Sequence, residues 1–158
     1  CQMTIDKKLT DDLREILQRN IARAYQAGGR NGAIVVIKLP ENELLSIVGT
    51  PNPNGFDSGA HINMALEPRQ IGSTVKPFIY YKAFEKGARP YTQVDDREYK
   101  YQIGTGFDLY PRNYDGKYRG IVTLHQSLAN SLNVPSVRVL EYIGLENFYA
   151  FLEDSFGF

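Results

Sequence analysis

The sequence holds a single cysteine, Cys1, so no internal disulfide can form. It lacks an excess of either charge: 18 Lys and Arg balance 18 Asp and Glu. That balance removes the electrostatic footprint expected of a nucleic-acid-binding protein, and gives no reason to expect adsorption to an anionic membrane surface. No apolar run reaches the roughly 18 residues that cross a bilayer, and no signal-peptide pattern opens the chain. The two histidines, His61 and His125, do not form a pair with metal-ligand spacing. No metal and no other cofactor is therefore expected. The Gly-rich stretch around Gly55 and Gly59 lacks the Gly-Lys-Ser/Thr of a phosphate loop.

What is present is enough for one domain or part of one, with a substantial core. Leu13, Ile16, Leu17, Ile21 and Ala24 recur at helical spacing and predict an amphipathic helix over 9–28. Thr10 is its expected N-cap, Asp11 and Asp12 complement the first turn, and Gly28-Gly29 supplies the stop. The β-branched run Gly32–Leu39 predicts a buried strand, Pro40–Glu43 a turn, and Leu44–Val48 a returning strand. Residues 32–48 are thus expected to form an antiparallel hairpin. Gly49–Glu67 reads as a loop. After Gly87 and Pro90, the stretch Tyr91–Arg119 has no clear period. Its aromatics (Tyr91, Tyr99, Tyr101, Phe107, Tyr110, Tyr114, Tyr118) suit surface packing and the walls of a groove better than base stacking, given the absent basic excess. Thr123 is expected to cap a short helix to about Ala129. Ser131–Asn133 reads as a connecting loop, Pro135 opens a further helix, and Leu145–Glu153 forms the last one.

Two polar motifs stand out against this frame. Ser73 and Lys76 form the one Ser-x-x-Lys of the chain. At that spacing on a helix the two residues are neighbours, with Cβ atoms about 5–6 Å apart, so a neutral lysine can take the proton of a serine nucleophile. Pro77 is tolerated there because first-turn donors have no intrahelical partners. Ser131 and Asn133 form the only Ser-x-Asn. Taken singly, each of these residues also fits a helix cap or a turn former. Together, and in this order, Ser-x-x-Lys and Ser-x-Asn are the first two members of a three-motif set used by penicillin-reactive serine enzymes.

The surrounding residues extend the match. Gly72-Ser-Thr-Val-Lys-Pro-Phe and Ser131-Leu-Asn-Val-Pro-Ser-Val, with Ser46-Ile-Val-Gly-Thr-Pro, Asn63-Met-Ala and Pro111-Arg-Asn-Tyr-Asp-Gly-Lys-Tyr-Arg-Gly-Ile-Val-Thr-Leu, resemble the transpeptidase domain of penicillin-binding proteins, most closely the bifunctional class A type. The resemblance covers roughly residues 30–158. It implies an α/β (α+β) fold of the β-lactamase and transpeptidase kind, in which an antiparallel sheet packed by helices stands beside an all-helical lobe. It implies D,D-transpeptidation of peptidoglycan stem peptides ending in D-Ala-D-Ala, and acylation by β-lactams. By the same resemblance Ser73 is the nucleophile, Lys76 its base, Ser131 a proton relay to the leaving amine, and Asn133 a ligand of Lys76 and of the substrate amide. A base working near pH 7–8 requires Lys76 to give up roughly 3–5 kcal/mol relative to its usual protonation, which burial can supply.

The third motif of the set, Lys-Ser/Thr-Gly, does not occur: no lysine in the chain is followed by Ser or Thr and then Gly. The chain is therefore expected to be the N-terminal part of such a domain, without its C-terminal strands, and a poor enzyme alone, since one oxyanion donor beyond the Ser73 N–H is missing. A two-stranded hairpin is marginal by itself and its edges invite pairing. Residues 32–48 are accordingly expected to pair with another chain, another copy or the missing half. The resemblance also implies an extracytoplasmic location and a membrane-anchored parent. Cys1 is then either a lipid-attachment residue or the result of where the chain was cut. A D,D-carboxypeptidase or β-lactamase, with Glu67 or Asp108 as a deacylating carboxylate, and a non-catalytic penicillin-binding sensor or scaffold are the alternatives.

Overall fold

The computed structural model describes residues 3–56, 59–103 and 106–157, without the side chains of Ile103 and Phe107. Cys1 lies outside the described residues. The chain divides into two compact units, Cys1–Arg69 and Gln70–Phe158.

In the first unit α1 runs Lys7–Ala24 and passes through a 3-10 turn, Tyr25–Ala27, to Gly28. Its N-cap is Asp6, whose carboxylate accepts from Leu9 N at 2.9 Å, and not Thr10. The helix thus begins a turn earlier than its apolar spacing suggests, because a charged turn carries no period yet is capped and held by the pairs Lys7–Asp11 and Lys8–Asp12. Thr10 is used instead to tie helix to strand, its Oγ1 lying 2.9 Å from Ser46 Oγ. Strands β1 (Ile34–Lys38) and β2 (Glu43–Val48) pair antiparallel, with a register shift between Val36 and Ile37. Alternation sends Ser46 and Val48 to the interior and leaves Val35 and Ile37 about half exposed, so β1, expected to be buried, is not, because only one face of a two-stranded ladder is covered by α1. Ile16, expected on the buried face of α1, is exposed, and Leu17 is buried. A close approach explains one glycine: a Cβ on Gly49 would stand 2.0 Å from Asn63 Oδ1 and 2.9 Å from Asn63 Cα. Gly49 O also accepts from Met64 N at 2.8 Å. Ser46–Pro51 and Asn63–Ala65, two of the stretches that carry the resemblance, are thereby packed backbone to backbone.

The second unit opens with a 3-10 turn, Gly72–Val75, that leads into α2 (Lys76–Glu85). Strand β3 (Gln93–Asp96) pairs antiparallel with β6 (Gly120–Thr123), and β4 (Tyr101–Ile103) with β5 (Phe107–Leu109). The aperiodic segment of the 73–158 lobe, expected to be mostly helical, therefore holds two short ladders. Strands of three or four residues are too short to leave an alternating pattern. Helix α3 (Leu124–Ala129) starts at Thr123, whose hydroxyl accepts from Gln126 N while the Gln126 side chain accepts from Thr123 N, a reciprocal cap. Helices α4 (Asn133–Ile143) and α5 (Leu145–Phe156) complete the unit. Asn133, expected in a loop, is the first residue of α4. The core is formed by Ile79, Tyr80 and Ala83 of α2, Leu124 of α3, Val139 and Ile143 of α4, and Phe148 of α5. Within it Tyr80 Oη meets Ser136 Oγ at 3.1 Å, so the one polar atom of the largest buried side chain is satisfied. Among the described residues no helix is long and apolar enough to cross a membrane.

Candidate active site

Three chain segments of the second unit meet around the ammonium of Lys76. Helix α2 begins at Lys76, and its side chain is carried inward with the rest of the buried face, leaving 6% of the residue exposed. Nζ donates to Ser131 O at 2.5 Å, to Ser131 Oγ at 3.1 Å and to Asn133 Oδ1 at 2.7 Å. An ammonium has three donors and these three acceptors use all of them. Burial nevertheless holds the Lys76 pKa below the ordinary lysine value, because none of the three partners carries a charge that would repay the lost hydration.

Ser131 reaches the lysine by an unusual backbone route. Helix α3 ends in a Schellman arrangement: Ser131 N donates to Leu128 O at 3.0 Å and Leu132 N to Ser127 O at 2.9 Å. Glycine is the usual residue at the left-handed position of that motif, yet here it is Ser131, at φ +50°. A left-handed serine costs about 1–2 kcal/mol. The left-handed turn reverses the chain and presents both oxygens of Ser131 to Lys76. Such strain points from geometry toward function.

Asn133 is held from two sides. Its Nδ2 donates to Arg112 O at 2.9 Å and its backbone N–H to Asn113 Oδ1 at 2.8 Å. With the amide nitrogen committed, Oδ1 faces Lys76. Asn113 and its buried neighbour Asp96 were not singled out from sequence. In Pro111-Arg-Asn-Tyr-Asp-Gly an asparagine reads as a turn former, and Asp96 lies in a stretch with no readable period, so neither residue carried a local signal.

Ser73 stands apart. It lies on the 3-10 turn, exposed, three residues before Lys76, with its carbonyl accepting from Lys76 N. Gly72, at φ +54°, turns the chain just before it. Among the described residues Lys76 Nζ has no hydrogen bond to Ser73. The structure thus joins Lys76, Ser131 and Asn133 directly and leaves Ser73 on the same turn as the lysine. Residues three apart on a 3-10 turn eclipse one another, and such contacts commonly tighten only when substrate binds. Asp108 is engaged elsewhere, pairing with Lys100 at 2.7 Å, and Glu67 belongs to the first unit, where it is exposed. His125 is exposed in the first turn of α3.

Residues 32–158 match the family described as the penicillin binding protein transpeptidase domain. The chain is 31% identical to penicillin-binding protein 1A of Escherichia coli (strain K12), over 96% of this chain and 18% of that protein. Its fold superposes on the crystal structure of penicillin-binding protein 1A from Haemophilus influenzae with a TM-score of 0.72 and 28% identity, over 81% of this chain and 19% of that one. It also shares its fold with the PonA1 protein of Mycobacterium tuberculosis, solved in complex with penicillin V, with a TM-score of 0.63 and 23% identity over 90% and 35% of the two chains. The chain spans less than a fifth of the length of the penicillin-binding protein 1A sequences it matches.

Proposed function

The chain belongs to the penicillin-binding protein transpeptidase family, and on that premise we propose that it supplies the serine, the lysine and the Ser-x-Asn of a peptidoglycan D,D-transpeptidase. Ser73 Oγ attacks the carbonyl of the penultimate D-alanine of a stem peptide. The Ser73 N–H is the oxyanion donor that this chain contributes. Lys76, neutral, takes the serine proton. The C–N bond breaks, D-alanine leaves with the proton it needs, and the acyl group remains on Ser73. An amine of a neighbouring strand then attacks the ester and the proton returns by the same route. A β-lactam enters at the first step, its ring amide taking the place of the peptide bond. The location that goes with this substrate is extracytoplasmic.

The observation that carries the proposal is the surroundings of Lys76. A buried lysine with a lowered pKa and only neutral partners is easier to leave unprotonated than a solvated one. Of its partners, only the Ser131 hydroxyl can both accept and donate. A proton arriving on Nζ can therefore leave through Ser131 Oγ toward the departing amine, whereas the Ser131 carbonyl and Asn133 Oδ1 can only hold the ammonium.

The test is intact mass after incubation with a penicillin, followed by peptide mapping. One adduct on Ser73, absent in Ser73→Ala and slowed by about 100-fold or more in Lys76→Ala, is the expected result. A folded chain that forms no adduct, and forms none when joined to a segment carrying Lys-Ser/Thr-Gly, would sink the proposal in favour of a non-catalytic module. Turnover of a D-Ala-D-Ala peptide in the joined form separates an enzyme from a penicillin sensor that acylates once.

A further inference from the structure

We infer that Asn113, oriented by Asp96, is a positioning residue for the Lys76 base: it caps α4 from outside the helix and so aims Asn133 Oδ1 at Lys76. The inference rests on the reading of Lys76 given under Proposed function.

Helix α4 has no cap of its own. Its N-cap residue is Leu132, which has no side-chain acceptor, and its third position is Pro135, which has no N–H. The two free donors of the first turn are Asn133 N and Val134 N. Both go to one atom, Asn113 Oδ1, at 2.8 and 3.2 Å. The cap therefore comes from 20 residues upstream, where a helix ordinarily uses its own preceding Ser, Thr, Asn or Asp.

The other end of the Asn113 amide is fixed as well. Nδ2 donates to Asp96 Oδ1 at 2.7 Å and to Lys117 O at 2.8 Å. Asn113 is 5% exposed and Asp96 is fully buried. Asp96 is in turn locked by the Arg119 N–H, 3.0 Å from Oδ2. Each of the four hydrogen-bonding positions of the Asn113 amide is thus occupied, and only one orientation of the amide satisfies them. The preceding residue acts on the same target, because Arg112 O accepts from Asn133 Nδ2. Residues 112 and 113 together grip Asn133 by its backbone and its side chain, and Asp96 holds the grip in register.

The experiment compares the unaltered chain with Asn113→Ala, Asp96→Asn and the exchange variant Asp96→Asn with Asn113→Asp. Two quantities are read: the rate of Ser73 acylation by a penicillin across pH, and the titration of Lys76 followed by NMR of 13Cε-labelled lysine. Ser136→Ala is the control. Ser136 is a buried α4 residue bonded to Leu132 O and Tyr80, so its loss weakens the same helix without touching Asn133. In Asn113→Ala the acylation plateau is expected to fall on the order of 100-fold, as for a reacting group displaced by about 1 Å. The Lys76 midpoint is expected to move down, since an acceptor of the ammonium is lost. Ser136→Ala should leave the midpoint in place. The exchange variant restores a donor facing an acceptor between positions 96 and 113, though it leaves Lys117 O without its donor, and should recover about tenfold of the rate lost in Asp96→Asn, the worth of one buried hydrogen bond.

A folded Asn113→Ala with the wild-type plateau and midpoint overturns the inference. So does an upward shift, which would mean that Asn113 acts by excluding water from Lys76. Should Asn113→Ala not fold, Asp96→Asn carries the test with the same expected directions. If neither the unaltered chain nor the chain joined to a segment carrying Lys-Ser/Thr-Gly acylates, the reading of Lys76 as base fails separately, and the Lys76 titration still decides whether Asn113 positions Asn133.

Discussion

The two units use similar residues with different success in burial. In the second, the apolar side chains of four helices close on one another, so Ile79, Tyr80, Ala83, Val139 and Ile143 are nearly or fully inaccessible. In the first, a two-stranded ladder has two faces and one helix packed on it, so Val48 is buried while Val35, Ile37 and Leu39 remain exposed. Helices interlock all round a core, whereas a pleated pair buries one side and offers the other. The polar cluster sits in the unit that packs well. A lysine with lowered pKa needs a rigid, water-poor surround, and the α2–α4 core provides one.

This contrast can be broken or sharpened by substitution. The largest effect is expected at Tyr80→Ala, which empties the centre of the second core and should destabilise it by about 3–5 kcal/mol in urea denaturation. Val35→Ala on the open face of the first unit should change stability by less than about 0.5 kcal/mol. Equal effects at the two positions would erase the distinction. Gly49→Ala tests whether the first unit also has a tightly packed point. Its new Cβ meets Asn63 backbone and side chain, and a loss of about 1–3 kcal/mol is expected, as for overpacking elsewhere. No loss would mean that the segment around Asn63 yields freely. The last effect has the opposite sign. Ser131→Gly relieves a left-handed serine and should stabilise the second unit by about 1 kcal/mol, while slowing acylation because Lys76 loses the one partner that can pass a proton onward. A variant that gained stability and kept its rate would assign the strain at Ser131 no role in the chemistry.

Legibility from sequence followed the range of the interaction. Local signals were plain: Thr123 announces the cap of α3, the β-branched run announces the strand β1 though not its exposure, and Gly28 announces the end of the first helix. The start of that helix was misplaced from Asp6 to Thr10, because Lys7 and Lys8 carry no apolar period. The short ladders of 93–96, 101–103, 107–109 and 120–123 left no alternation to read. Ser73, Lys76, Ser131 and Asn133 could be named as a set from their motifs. Nothing local indicated that Lys76 would turn from the exposed Ser73 turn into the interior, or that Asn113 would cap a helix 20 residues away.

The sequence by itself determined the residue types, their spacing along each turn, and the family, since these depend on neighbours within a few positions of the chain. Tertiary structure alone decided which acceptors surround the Lys76 ammonium, that Ser131 takes a left-handed conformation, and that Asp96 and Asn113 hold the start of α4. The physical reason is that desolvation and hydrogen-bond satisfaction are set by whatever packs alongside. For Lys76 those neighbours are 55 and 57 residues away in the chain.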